Sequence, residues 1–232
     1  MDLSKQQLET LPPSIWQHTS ANELNLAYNK LSALPPEFGQ FTELRILNLF
    51  YNRLEFLPPE IGQLSHLQNL NLYYSRLKTL PPEIGQLANL EVLDLGYNQL
   101  ETLPPEIGQL TKLKELYLAG NDMRYLPDEF GQLVNLEILD LEYNQLGILP
   151  PINRLTKLKK LDLKYNVLRD FPPGIEQFIN LTSLNLDGNR IRVVPNEIIK
   201  LFNLKHFDIN YNPMSNSEVE KLKWLVPHLV NF

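Results

Sequence analysis

Carboxylates and imidazoles carry the acid–base and metal-binding chemistry available to this chain. Asp94, Asp140, Asp162 and Asp208 fall at one position of a repeating pattern, with Asp140 and Asp162 in successive repeats. Carboxylates gathered in this way can exchange protons or hold calcium. Repetition alone also brings identical side chains together, so a solvated acidic stripe is the simpler expectation. The histidines, at 18, 66, 206 and 228, lie far apart, and His206 beside Asp208 suits a surface contact better than a catalytic dyad. Without cysteine there is no thiolate nucleophile, disulfide framework or thiolate zinc site. The phosphate loop G-x-x-x-x-G-K-S/T, G-x-S-x-G and H-E-x-x-H are all missing. The chain therefore reads as non-enzymatic, with no catalytic residue, cofactor or metal.

The other chemistry on offer is recognition. Aligned by repeat, the outward positions read Ile46, Asn48, Phe50; Asn69, Asn71, Tyr73; Val92, Asp94, Gly96; and Glu115, Tyr117, Ala119. Ile46, Phe50, Tyr73, Val92 and Tyr117 would then share one face, and large rings among polar neighbours are what a protein-binding hot spot requires. A second row of tyrosines, 28, 51, 74, 97, 143, 165 and 211, is interrupted by Gly120 and Gly188. Ring stacking that stiffens the array is its expected role. Tyr51 and Tyr74, beside Phe50 and Tyr73, are expected to serve binding as well. Toward the C-terminus the outward positions become charged, with Asp140, Glu142, Lys160, Asp162, Lys164, Asp187 and Asp208. Such charges orient a partner more than they set its affinity. A protein ligand with an apolar ridge and a basic flank would fit both halves.

The elements that position these side chains are spelled by repetition. "LPPEIGQL" begins at residues 57, 80 and 103, with altered copies at 11, 34, 126, 171 and 194. A fixed period of this size marks a solenoid. Within "LANLEVLDLGYNQLETL" the alternation of Leu93 and Leu95 predicts one short strand per repeat, leucines inward. Inward leucines at 47, 49 and 54 would meet those at 70, 72 and 77, each burial contributing roughly 1.5–3 kcal/mol. Prolines such as Pro58 and Pro59 then turn the chain out of the strand across the back, while Ile61 and Leu64 close the coil. The octet itself is expected to bind nothing.

An asparagine recurs at Asn29, Asn52, Asn98, Asn121, Asn144, Asn166, Asn189 and Asn212. Its amide, both donor and acceptor, can satisfy buried backbone groups between coils. Ser75 breaks this ladder, and Ser75→Asn is expected to stabilise. One interval is 22 residues instead of 23 because "LPPINRLTKL" is a residue short, a deletion expected to disturb the curvature little.

L-x-x-L-x-L-x-x-N-x-L followed by x-x-L-P-P-x-I-x-x-L resembles the leucine-rich repeat family in its 23-residue class, over essentially the whole chain. The regular octets and the ending "NPMSNSEVEKLKWLVPHLVNF" are similar to bacterial members, including those of Leptospira, and the octets also to intracellular Ras-related repeat proteins of animals and plants. The resemblance implies an α/β repeat solenoid: a horseshoe with a concave parallel sheet and a convex side of extended, 3-10 and short helical segments. It implies a protein–protein interaction scaffold binding a protein ligand on its concave face. The alternatives are a secreted or surface-exposed bacterial protein acting on host molecules, and the recognition part of a larger enzyme such as a ubiquitin ligase or a GTPase.

Residues 1–20 read as an N-terminal half-repeat, 21–212 as the array and 213–232 as a helical cap. Ser215 and Glu218 have capping-box spacing, Val219, Leu222 and Val226 share a face, and Pro227 stops the helix. Leu3 and Gln6 enter the register mid-repeat, and an unpaired edge there favours self-association. A formal charge of −6 disfavours nucleic acid. No stretch is apolar enough to insert in a membrane. The chain is expected to be cytoplasmic if complete, and secreted or at the cell surface if an export signal has been removed.

Overall fold

The computed structural model describes residues 1–227 and Leu229. Nine three-residue strands form one parallel sheet in strict chain order: β1 (Glu23–Asn25), β2 (Ile46–Asn48), β3 (Asn69–Asn71), β4 (Val92–Asp94), β5 (Glu115–Tyr117), β6 (Ile138–Asp140), β7 (Lys160–Asp162), β8 (Ser183–Asn185) and β9 (His206–Asp208). Each strand heads a coil of the same number. Pairing is position for position, so Ile46, Asn69 and Val92 are neighbours across three strands.

Leucines at the inward positions explain why the strands sit where they do. Leu47, Leu49 and Leu54 meet Leu70, Leu72 and Leu77 with no solvent exposure, and the apolar column continues through every coil as one core. No coil can bury this stripe alone, so stability comes from stacking.

The octet makes the return path. Pro58, at φ −71°, leads the 3-10 turn Pro59–Gln63, and Leu64 N–H closes it on the Ile61 carbonyl; Pro82–Gln86 and Pro105–Gln109 repeat the geometry. The glycine of "EIGQL" is required by close approach. A Cβ on Gly62, Gly85 or Gly108 would stand 2.5 to 2.8 Å from a glutamate carbonyl oxygen of the next coil. Between β6 and β7 the shortened "LPPINRL" has no 3-10 turn, yet β7 pairs with β6 in the same register as every other strand.

At the N-terminal end Asp2 bridges Asn25, and Leu3 and Lys5 donate backbone hydrogen bonds to Asn25 and Ala27. The half-repeat thus lies against the open edge of β1. At the other end helix α1 (Asn216–Leu225) begins at Ser215, whose hydroxyl accepts from Glu218 N–H at 3.2 Å. The Glu218 carboxylate does not return to Ser215. It accepts from Val194 N–H at 3.2 Å, and Lys221 Nζ donates to Val194 carbonyl oxygen at 2.6 Å. Leu222 and Val226 are buried and Val219 half-buried. His228 and the last three residues of the expected 213–232 cap lie outside the described residues.

Candidate protein-binding surface

The surface is held from beneath by the asparagine ladder. Asn98 Nδ2 donates to Leu95 carbonyl oxygen in its own coil at 2.9 Å and to Leu72 carbonyl oxygen in the preceding coil at 3.0 Å, while its Oδ1 accepts from Leu77 N–H at 3.0 Å. Asn29, Asn52, Asn121, Asn144, Asn166, Asn189 and Asn212 repeat the pattern. Ser75 does not. It is 8% exposed, its hydroxyl has no partner, and Leu54 N–H, which an asparagine there would receive, has no acceptor among the described residues.

Above the ladder each coil offers three outward positions, and the middle one has a backbone task except in coils five and nine, where Tyr117 and Asp208 stand. Asn48 Oδ1 accepts from Phe50 N–H at 3.0 Å and Asn71 Oδ1 from Tyr73 N–H at 2.9 Å. Asp94, Asp140 and Asp162 do the same for Gly96, Glu142 and Lys164. Asp94, Asp140 and Asp162 therefore terminate strands, and swapping asparagine for aspartate at these places changes the charge without changing the turn. Burial pushes the Asp94 and Asp140 carboxyls up. Asp162 is pushed up to about 6 by burial first, then by the neighbouring carboxylates of Asp140 and Glu142. No group of three or more acidic, histidine or cysteine side chains among the described residues could hold a metal ion. His206 and Asp208 are both exposed and share no hydrogen bond.

The third outward position carries the rings. Phe50 and Tyr73 stack at 5.5 Å, and small residues lie beside them: a Cβ on Gly96 would come within 2.9 Å of the Tyr73 ring, and Ala119 is buried. Ile46 is exposed, and Val92 and Tyr117 are half-buried. The Tyr117 hydroxyl donates to Glu115 Oε2 at 2.7 Å, and burial followed by that carboxylate raises its phenol above the ordinary range.

The next residue supplies a second rank of rings from a strained backbone. Tyr28, Tyr51, Tyr74, Tyr97, Tyr143, Tyr165 and Tyr211 all have φ between 50° and 58°, the left-handed region that costs a side-chain-bearing residue about 1–2 kcal/mol. Gly120 and Gly188 occupy the same position with φ 65° and 64°. Rings in adjacent coils offset part of the strain by stacking: Tyr51 and Tyr74 are 5.1 Å apart at 11°, and Tyr74 and Tyr97 6.1 Å apart. Phe50 meets Tyr28 edge-on at 4.9 Å and Tyr73 meets Tyr97 at 5.2 Å, which joins both ranks into one cluster of six rings. It ends where Tyr97 lies against Gly120. Tyr143 and Tyr165 make a separate pair at 4.7 Å.

The structure thus brings Phe50, Tyr51, Tyr73 and Tyr74 together, with Ile46 and Val92 on the first outward row, separated from the rings by the middle row of Asn48, Asn71 and Asp94, while Asp140 and Asp162 stand side by side farther along the sheet. Tyr28 and Tyr97, expected from the sequence to stack but not assigned to the binding face, complete the cluster. Glycine interrupting a tyrosine row was the available signal, since only a left-handed position treats the two as alternatives.

Residues 23–146 match the family model for a leucine-rich repeat region, 134–176 that for two leucine-rich repeat copies and 180–201 that for a single repeat. The chain is similar to a leucine-rich repeat protein of Leptospira interrogans, with 33% identity and a TM-score of 0.78 over 97% of this chain and 76% of that one. It is also similar to the leucine-rich repeat ectodomain of the membrane receptor kinase GASSHO1/SCHENGEN3 from Arabidopsis thaliana, in complex with Casparian strip integrity factor 2. There the identity is 34% and the TM-score 0.79, over 88% of this chain and 26% of that one. The plant peptide hormone receptor RGFR1, in complex with RGF2, is 29% identical with a TM-score of 0.73, over 88% of this chain and 38% of that one. The chain spans well under half of either plant protein. No curated protein matches it.

Proposed function

Because the chain belongs to the leucine-rich repeat family, we propose that it is a non-enzymatic interaction module whose protein ligand docks on the concave face of coils two to five. Ile46, Phe50, Tyr73, Val92 and Tyr117 form the contact, Tyr51 and Tyr74 flank it at the rim, and Asp140 and Asp162 orient a basic flank of the ligand. The cluster of six rings carries this reading. Closing the repeat needs only the inward leucines, so aromatic area held half-exposed on strained backbone has its best use in contact with another molecule. A rigid surface of this kind loses little freedom on binding. The two plant receptors, each solved with its ligand, support a protein-interaction role.

The test is a pull-down with the native protein and the folded Phe50→Ala/Tyr73→Ala variant side by side. A protein retained only by the native form supports the site. Equal retention by both forms sinks it.

A second reading, that the array is the recognition part of a larger enzyme, draws support from the receptor kinase above, whose ectodomain is such an array. A catalytic domain in the same reading frame would favour it.

A further inference from the structure

Two places beyond each of the first three rim tyrosines stands a cation: Lys30, Arg53 and Arg76. With Lys5 of the half-repeat they line an open cleft of about 410 Å³, which is also lined by Tyr28, Tyr51 and Tyr74 and floored by buried Asn29, Asn52 and Ser75. No carboxylate lines it, in a chain whose net charge is −6. Later coils do not continue the row. The equivalent positions are Gln99, Asp122, Gln145, Val167, Arg190 and Pro213, and the one later cation, Arg190, follows Gly188 instead of a tyrosine; the tyrosine rank itself breaks first at Gly120. Rings and cations are thus confined together to the first coils.

The cations are weakly engaged. Lys30 Nζ donates to Gln7 Oε1 at 2.9 Å, and Lys5 Nζ lies 5.5 Å from the centre of the Tyr28 ring. The Arg53 and Arg76 side chains make no hydrogen bond or ion pair among the described residues. Arg76 acts only through space on Glu55, whose carboxylate is held by Lys78 at 2.9 Å. Beneath the cleft lies the break in the ladder, where the buried Ser75 hydroxyl and Leu54 N–H are left without partners.

We propose that this cleft docks an acidic segment of the protein ligand, running along the rim with its carboxylates on Arg53 and Arg76 and its apolar groups on the faces of Tyr51 and Tyr74. The inference rests on the protein-binding reading above and gives the ligand a direction. Guanidinium groups suit carboxylates because their planar forks pair bidentately. Stacked rings beside arginines could also suit single-stranded nucleic acid, but the neighbouring surface opposes it. A uniform polyanion continuing into coil four and beyond would meet Asp94, Asp140 and Asp162, whereas a peptide can change sign along its length.

The experiment uses a short fluorescent peptide with a Glu-Tyr half followed by a Lys-Ser half, its all-Lys counterpart and an oligo-dT strand. Binding is read by anisotropy against the native chain, Arg53→Gln/Arg76→Gln and Phe50→Ala/Tyr73→Ala. The two arginine side chains make no hydrogen bond or ion pair among the described residues, and a thermal melt checks that the variant is intact. The native chain should bind the two-signed peptide, more weakly at high salt, and the arginine variant should lose about tenfold or more in affinity. Unchanged affinity in that variant, no binding by the native chain, or tighter arginine-dependent binding of oligo-dT overturns the proposal. If the arginine variant loses the peptide while the aromatic variant keeps both the peptide and its pull-down partner, the cleft stands and the concave aromatic site falls. The reverse pattern overturns the cleft alone.

Discussion

Coils one to four and coils five to nine share one backbone and present opposite chemistries. In the first group the strand-ending residues are mostly asparagines, the rim tyrosines stack without a break, and cations line the outer cleft. In the second, Asp140 and Asp162 replace the asparagines, Glu142 and Lys164 replace the rings, and Gly120 and Gly188 interrupt the tyrosines. Apart from the ladder break at Ser75, everything inward is alike: the apolar column, the asparagine ladder and the strand register run through both groups. The fold thus keeps its stability and its surface chemistry on different atoms, and the surface can be rewritten without rewriting the frame.

The strongest way to break this comparison is to attack what the halves share. Asn98→Ala orphans the buried Leu77 N–H and the Leu72 carbonyl, while the Leu95 carbonyl keeps Asn121 Nδ2, and should cost about 3 kcal/mol; Asn166→Ala, which orphans Leu146 N–H, should cost nearly the same. Urea melts of both variants measure this, and a large difference would mean that the halves do not rest on one frame.

Ser75→Asn repairs the ladder inside the first half. It should stabilise by about 1 kcal/mol, seen as a melting temperature about 2–4 °C higher. An unchanged or lower value removes the ladder break as a weak point.

The acidic half predicts a pH effect. Asp162 titrates near 6 in the fold against an ordinary 3.8, so the folded chain holds this proton more tightly than the unfolded one. Its unfavourable charge is fully present above about pH 6, and stability rises as pH falls through 6 toward 4. Asp162→Asn keeps the acceptor for Lys164 N–H. It should stabilise by about 1 kcal/mol near neutral pH and flatten that rise. A variant whose melting temperature follows pH as the native protein does would show that the strand end holds the charge without cost.

The smallest effect separates strain from stacking. Tyr211 has φ 55°, is 81% exposed and has no ring partner among the described residues. Tyr211→Gly should gain about 0.5 kcal/mol from relieved strain, whereas Tyr51→Gly should gain nothing because two stacked neighbours are lost with it. Equal gains at both sites would make stacking irrelevant.

Most of the fold was legible because the period is written in the spelling: the octet gives the back of each coil, L-x-L the strand and asparagine the ladder. Ser75 was legible for the same reason, as an exception to a strict rule. The surface was only half legible. Phe50 and Tyr73 stood out because rings are unnecessary on an outward position, but tyrosine does not announce a left-handed backbone. The work of Asn48 and Asn71 was hidden too, since a polar residue on an outward position looks like mere solvation until its hydrogen bond two residues on is seen. Lys30, Arg53 and Arg76 look like ordinary polar positions one place beyond the ladder. Their meaning arises only when successive coils bring them to one cleft.

The missing residue between β6 and β7 has a further consequence. The chain is shorter there, yet the strands remain in step and Leu146 N–H still finds Asn166 Oδ1 at 2.9 Å. Position along the concave sheet therefore counts strands, not residues, like a ruler graduated at roughly 4.8 Å. Insertions and deletions on the far side leave those graduations untouched, so the back of the array is free to drift in length while the spacing of the side chains on the sheet stays constant.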